Sequence, residues 1–271
     1  MRRGPQVRCL LLPLALVLGV VAARPAISSE YGRGEIDKDD DSKTFSIAAA
    51  GGLTSEGYGI AGTGGSLSLP RSWGSLLETE LKYRPSASDY SLRMIYRQTQ
   101  TQFAGLTGIT PSTLELTRRN IGVSIFLHPF SGSSHGGLDS LQIGLGYYFL
   151  LRSATATTPT AIVNSASQSG ILLSALYALK FSKFRTEGAL DVALPHRFSE
   201  EGKKTGYFSS ALNIEVSAKI VYPLNDWLDV AGGLLLHSNS VNYVGTGERG
   251  LPDATEGQLG YGIPLELRVR F

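Results

Sequence analysis

Read two residues at a time, most of the chain after position 44 sorts into an apolar set and a polar set. In "YSLRMIYRQ", Tyr90, Leu92, Met94 and Tyr96 alternate with Ser91, Arg93 and Arg97. "SLLETELKYR" sets Leu77, Thr79, Leu81 and Tyr83 against Glu78, Glu80, Lys82 and Arg84. "RNIGVSIFLH" and "LQIGLGYYFL" repeat the pattern with Ile121, Val123, Ile125 and Leu127, then Leu141, Ile143, Leu145, Tyr147 and Phe149. Further on, Leu212, Ile214, Val216, Ile220 and Tyr222 oppose Asn213, Glu215, Ser217 and Lys219, and Leu228, Val230, Leu234 and Leu236 oppose Asp229 and His237. The last stretch, "LGYGIPLELRVRF", alternates Leu259, Tyr261, Ile263, Leu265, Leu267, Val269 and Phe271 with glycine, proline, Glu266, Arg268 and Arg270. Period two is the signature of strands with two different faces.

Weaker segments lie at 169–181, where both faces are apolar, and at 186–194, where Glu187 and Asp191 oppose Leu190, Val192 and Leu194. Two more, Phe45–Leu53 and Tyr58–Leu69, are rich in glycine and alanine. That makes eleven candidate strands and no helix-period segment. The links alternate in length. "RPSASD", "FSKF" and "PLND" are short, "HPFSGSSHGGLD" is intermediate, and 100–112, 153–167, 196–205 and 239–256 read as long loops.

A soluble β-sandwich also alternates. Three features favour lipid on the apolar side. The segments run to about 10 residues, enough to cross a bilayer when tilted. Their polar faces carry both signs of charge, and aromatics recur near their ends, as at Tyr83, Tyr90, Tyr147, Tyr222 and Trp227. In hydrocarbon every backbone N–H and C=O must pair within the protein, so strands must close into a barrel. The polar face then lines the lumen, giving as candidates Glu78, Glu80, Lys82, Arg93, Arg97, Arg118, Glu187, Asp191, Glu215, Lys219, Asp229, Glu266 and Arg268. The expected fold is all-β: a closed antiparallel transmembrane β-barrel over 44–271. Bacterial barrels of one chain use even strand numbers. Eleven candidates therefore resolve to twelve strands, which chain length favours, or to ten.

Composition narrows the remaining classes. With 42% hydrophobic and 18% charged residues, the chain is not a bundle of membrane helices. A formal charge of +2 with scattered basic residues offers nothing for nucleic acid. Residues 1–26 combine Arg2, Arg3 and Arg8 with the apolar run "CLLLPLALVLGVVAA", which reads as a signal peptide cleaved near Ala23 or Ala26. Cleavage near Ala23 removes those three arginines from 25 basic residues and leaves 22 against 23 acidic ones, and the mature chain loses its one cysteine, Cys9. Residues 27–43 form a polar, acidic lead-in. Asp37, Asp39 and Asp41 have calcium-loop spacing, but Ser42 and Ala48 stand where glycine and glutamate are required. No cofactor motif or metal site is read.

A signal peptide, alternating strands and a final strand ending in Phe271 resemble the bacterial outer-membrane β-barrel superfamily. The resemblance implies an outer membrane of a Gram-negative cell, membrane lipid around the wall, and recognition of the last strand by the barrel-assembly machinery. Pro264 departs from an ideal last strand, because it lacks a ladder donor, and is expected at a bulge or the seam. Three functions stay open. One is a small porin-like channel, in which Lys82, Arg93, Arg97 and Arg118 form a positive wall facing Glu78, Glu80, Glu187 and Asp191. Another is a structural or anchoring barrel in a larger envelope assembly (secretion, polysaccharide export or motility). The third is a lipid hydrolase using His237 with Ser238 or Ser240 in "HSNS". That stretch is loosely similar to the His-x-Ser of the lipid A deacylase family, but Asn239 stands where the serine belongs.

Overall fold

A computed structural model describes residues 45–85, 89–104, 113–129, 141–156, 163–201, 205–248 and 250–271. The expected signal peptide and acidic lead-in lie outside the described residues. Ten strands follow one another: β1 (Phe45–Gly62), β2 (Gly65–Tyr83), β3 (Tyr90–Phe103), β4 (Leu114–Leu127), β5 (Gln142–Ala156), β6 (Ala166–Lys180), β7 (Arg185–Glu200), β8 (Tyr207–Pro223), β9 (Leu228–Val244) and β10 (Thr255–Arg270). Each pairs antiparallel with its neighbours in sequence, and β1 pairs with β10, so the sheet is a closed barrel. The closing seam runs unbroken from Ser46↔Arg270 to Ala61↔Thr255. At the rim that holds both ends of the sheet, the Phe271 N–H donates to the Phe45 carbonyl at 2.9 Å.

The barrel therefore has ten strands, not twelve. The expected strand Tyr58–Leu69 is cut by a tight turn: Gly62 pairs with Gly65, and Gly64 takes a φ of +96°, which glycine adopts without steric cost. The three N-terminal candidates thus form two strands. The chain length that favoured twelve is absorbed by long strands, of 14 to 19 residues, well beyond the 9–11 or so that cross a bilayer. Much of the expected loops 153–167, 196–205 and 239–256 is strand. The short links 181–184 and 224–227, and the strand ends Tyr83 and Tyr90, gather at the rim of Phe45 and Phe271.

Pro264 sits in β10 opposite Gly52 of the seam. On its other side the ladder to β9 lapses between Gly262↔Leu235 and Leu265↔Gly232 and resumes in the same register. A missing donor interrupts the ladder without a bulge. Gly52 accommodates this strand closely, since a Cβ there would lie 2.1 Å from the Ile263 carbonyl oxygen. Gly52→Val is expected to block closure of the seam. The check is the electrophoretic shift between folded and boiled protein in detergent, which the variant should lose.

What the two faces carry changes along each strand. On the outer face of β3, Tyr90, Leu92, Met94 and Tyr96 give way to Gln98, Gln100 and Gln102. On its inner face, Ser91, Arg93 and Arg97 give way to Thr99, Thr101 and Phe103, all buried. β4 does the same in reverse chain order. Leu127, Ile125, Val123 and Ile121 face out over Ser124 and Asn120, while beyond them Arg119, Thr117 and Glu115 face out over Leu116 and Leu114. Over one band, then, the wall is apolar outside and polar inside. Beyond it the wall is polar outside, and apolar side chains such as Phe103, Leu114 and Leu116 join buried polar ones inside.

The inversion locates the membrane. Leu265 is 68% exposed, Leu145 62% and Leu127 60%, values that burial in lipid explains and contact with water does not. Aromatics bracket the band. Tyr83, Tyr90, Phe181, Phe184, Tyr222, Trp227 and Phe271 ring the rim of the chain ends, all exposed. At the other edge Trp73 packs edge-on against Tyr261 at 5.7 Å, with the Arg71 guanidinium 5.3 Å from the Tyr261 ring. On β2, about ten steps of roughly 3.3 Å separate Tyr83 from Trp73. At a tilt near 40° they rise about 25 Å, the height of a barrel's apolar belt.

Candidate functional site

Inside the belt the lumen is filled with charge. The inward alternation brings the acidic residues of β2, β7, β8, β9 and β10 onto the same wall surface as the basic ones of β3, β4, β8 and β10. Arg93 (β3) reaches Glu80 on the adjacent β2 at 3.1 Å and Asp191 across the lumen on β7 at 3.1 Å. Arg97 contacts Glu78 at 2.7 Å and Glu215 on β8. Glu215 also accepts from Arg118 at 2.6 Å and Asn120 at 3.0 Å, both on β4. Lys219 (β8) joins Glu78 at 2.8 Å and Glu266 at 2.5 Å. Arg268 (β10) chelates Glu187 (β7) at 2.7 and 2.9 Å and contacts Glu266 at 2.7 Å.

Most of these partners sit on strands that are not neighbours. β3 and β8 lie on opposite walls of the ring, so the Arg97–Glu215 bridge crosses the barrel. Such bridges occupy the cross-section. All thirteen lumen candidates face inward. Lys82 and Glu187 keep partial access, with side chains 32% and 19% exposed, and the rest are buried. The expected positive wall forms in part: Arg93, Arg97 and Arg118 stand on the adjacent β3 and β4 and meet Asp191 and Glu215 on β7 and β8. Glu78 and Glu80 are not on the facing wall but on β2, beside Arg97 and Arg93, and Lys82 shares their strand.

Several members of the web were not picked out in the sequence. Arg185 and Arg270 meet the candidate Asp229 at 2.9 and 3.0 Å. Ser174 donates to Asp191 at 2.5 Å, and Asn213 accepts from Arg118 at 3.1 Å. Arg152 (β5) pairs with Glu256 (β10) above the belt. The signal for Arg152 and Glu256 was present, because both continue the inward alternation of their strands, but Glu256 falls in a stretch read as loop and Arg152 lies just past the expected strand end at Leu150.

His237 lies within β9, not at a rim. It is fully enclosed, with Nε2 3.3 Å from Glu56 Oε1. Ser238 and Ser240 belong to the opposite, outward face of the strand, so period two turns both hydroxyls away from the imidazole. They are part of the polar outer surface beyond the belt. His128 is also inward, 3.3 Å from the Ser91 hydroxyl, and His196 packs outward on the Tyr147 ring at 5.8 Å. Among the described residues no cluster of metal-ligating side chains occurs.

Toward the rim of the chain ends the described residues enclose a small cavity of about 100 Å³, lined by the charged Glu80, Lys82, Arg93, Glu187 and Lys219 and by the apolar Leu176, Tyr177 and Ala189. At the other end two apolar clusters pack in the lumen around the Arg152–Glu256 pair. Tyr58, Leu69, Phe103, Leu114, Leu116 and Val163 form one cluster, and Ile60, Val241, Tyr243 and Ala254 form another.

A closed antiparallel wall, greasy outside and charged inside over one belt, defines the class: a transmembrane β-barrel of the outer-membrane type. No family model and no curated protein matches this chain. Among solved structures it is similar to the outer-membrane protease OmpT from Escherichia coli, at 8% identity and a TM-score of 0.47, over 84% of this chain and 97% of that one. It is also similar to the transport unit of the autotransporter AIDA-I from Escherichia coli, at 9% identity and a TM-score of 0.40, over 92% and 97%. A third is an outer-membrane channel from Pseudomonas putida F1, at 10% identity and a TM-score of 0.37, over 84% and 96%. Likenesses this remote say nothing of substrate or activity.

Proposed function

We propose that this chain is an outer-membrane barrel with a closed lumen, acting as a structural or anchoring element of the bacterial envelope. One observation carries the reading: ion pairs join opposite walls, as Arg97 does with Glu215 and Arg93 with Asp191. A solute pathway through such a web requires breaking buried pairs, each costing about 3–5 kcal/mol when one partner is lost. The polar outer surface beyond the belt, with Gln98, Gln100, Gln102, Ser238 and Ser240, supplies hydrogen-bonding groups for other envelope proteins. Phe271 on the last strand fits recognition by the barrel-assembly machinery. A catalytic role is not part of the proposal, because His237 and its neighbouring serines occupy opposite faces.

The cavity between Glu80, Lys82, Arg93, Glu187 and Lys219 favours a second reading, a small porin-like channel for small polar solutes that opens by rearranging the web. Reconstitution into planar bilayers separates the two. Pure, folded protein is expected to give no conductance steps. Reproducible steps that vanish on boiling would overturn the closed-lumen reading in favour of the channel.

A further inference from the structure

The barrel wall is not uniformly hydrogen-bonded. Between β7 and β8 the paired register ends at Ala193↔Asn213, although β7 continues to Glu200 and β8 begins at Tyr207. Beyond that point each strand stays paired on its other side only, β7 with β6 as far as Ala166↔Glu200 and β8 with β9 as far as Tyr207↔Val244. Both strands carry a register shift at the parting. One lies between Ser169 and Gly170 opposite Pro195 and Arg197, the other between Phe208 and Ser210. Pro195 contributes no N–H, and bulges bend the strands that hold them.

The parting is a window, because its top is closed again. Glu200 accepts from the Thr205 hydroxyl at 2.6 Å and backbone N–H at 2.9 Å. Within the window the wall is sealed by side chains alone. Phe198 and Phe208 stack across it at 5.2 Å and 13°, and Tyr243 meets Phe198 edge-on at 5.6 Å. Behind the rings lies the apolar cluster of Ile60, Val241, Tyr243 and Ala254. In front, the wall changes from Leu194, 42% exposed, to exposed Arg197. Unpaired strand edges are not tolerated against hydrocarbon, which sets the window at headgroup height, just above the belt.

We propose that this window is a lateral entry site for a single-chain amphiphile with an anionic head, such as a fatty acid. The chain passes between Phe198 and Phe208 into the apolar cluster, and the head stays at Arg197. Aromatic faces part more readily than ladder hydrogen bonds, and the membrane leaflet at this height supplies the neighbours. The inference rests on the membrane placement proposed above.

A stearic acid carrying a photoactivatable diazirine at its tail tests it, using the full chain in phospholipid vesicles with adducts mapped by mass spectrometry. Adducts are expected on the inward Val241 and Tyr243 as well as on outward Leu194 and Leu265. Arg197→Glu, an exposed change, should lower the inward adducts about fivefold, the loss of one partly screened cation–anion contact, and leave the outward ones unchanged. Phe198→Cys with Phe208→Cys should lose inward labelling when oxidised and regain it on reduction. Outward adducts without inward ones, or inward labelling indifferent to both changes, would overturn the window and leave the membrane reading intact. Absence of adducts on Leu194 and Leu265 as well would overturn both.

Discussion

Glu215→Ala is expected to destabilise the barrel by about 3–5 kcal/mol. Glu215 is buried and takes Arg118 at 2.6 Å, Asn120 at 3.0 Å and Arg97 from the far wall. Its removal leaves two guanidiniums facing each other in a space that bulk water does not reach. The cost comes less from the lost attraction than from charge stranded without a counter-ion. Glu115 provides the comparison. It lies on the same side of the barrel as Arg118 but faces outward, exposed, with Gln100 Nε2 2.9 Å away. Glu115→Ala should change stability by no more than about 0.5 kcal/mol. Denaturant unfolding from detergent micelles measures both. Exchanging Glu215 and Arg118 together for Leu and Met should recover part of the loss, since Arg97 keeps Glu78 at 2.7 Å and no guanidinium of the pair is left stranded.

The second large effect concerns the outer wall. Leu265→Arg should cost about 2–4 kcal/mol, the cost of a basic residue near the bilayer midplane of a barrel. Gln100→Arg, also outward, should cost within about 0.5 kcal/mol. On a water-soluble barrel both would be surface changes of little consequence, and Leu265, at 68% exposure, would be the more tolerant position. Refolding into lipid vesicles across a denaturant series gives the two values. The sign of their difference separates lipid from water outside the belt.

The strands inside the belt were legible in sequence because one physical condition, oil outside and charge inside, holds along their length. Tyr90, Leu92, Met94 and Tyr96 against Arg93 and Arg97 state it plainly. The continuations were not legible, because the condition reverses. Gln98, Gln100 and Gln102 face water while Thr99, Thr101 and Phe103 face a packed interior. A template that expects greasy residues outside loses the strand there, and 100–112 reads as loop. The hairpin at Gly62–Gly65 was hidden for a different reason: glycine and serine on both sides give no alternation to interrupt. The lumen residues could be named one by one from their parity. Their partners could not, since Arg93–Asp191 and Lys219–Glu78 join residues brought together only by closure of the ring. Parity also sets His237 and the two serines of "HSNS" on opposite faces, once the strand is known to continue through it.

The polarity inversion along β3 admits a direct measurement. Single nitroxide labels placed at 92, 94, 96, 98, 100 and 102 in vesicle-reconstituted protein report access to oxygen, which concentrates in hydrocarbon, and to a water-soluble nickel chelate. Labels at 92, 94 and 96 should favour oxygen, and labels at 100 and 102 should favour the chelate, with the crossover near 98. Chelate access at all six positions would contradict the account, because the apolar band would then face water.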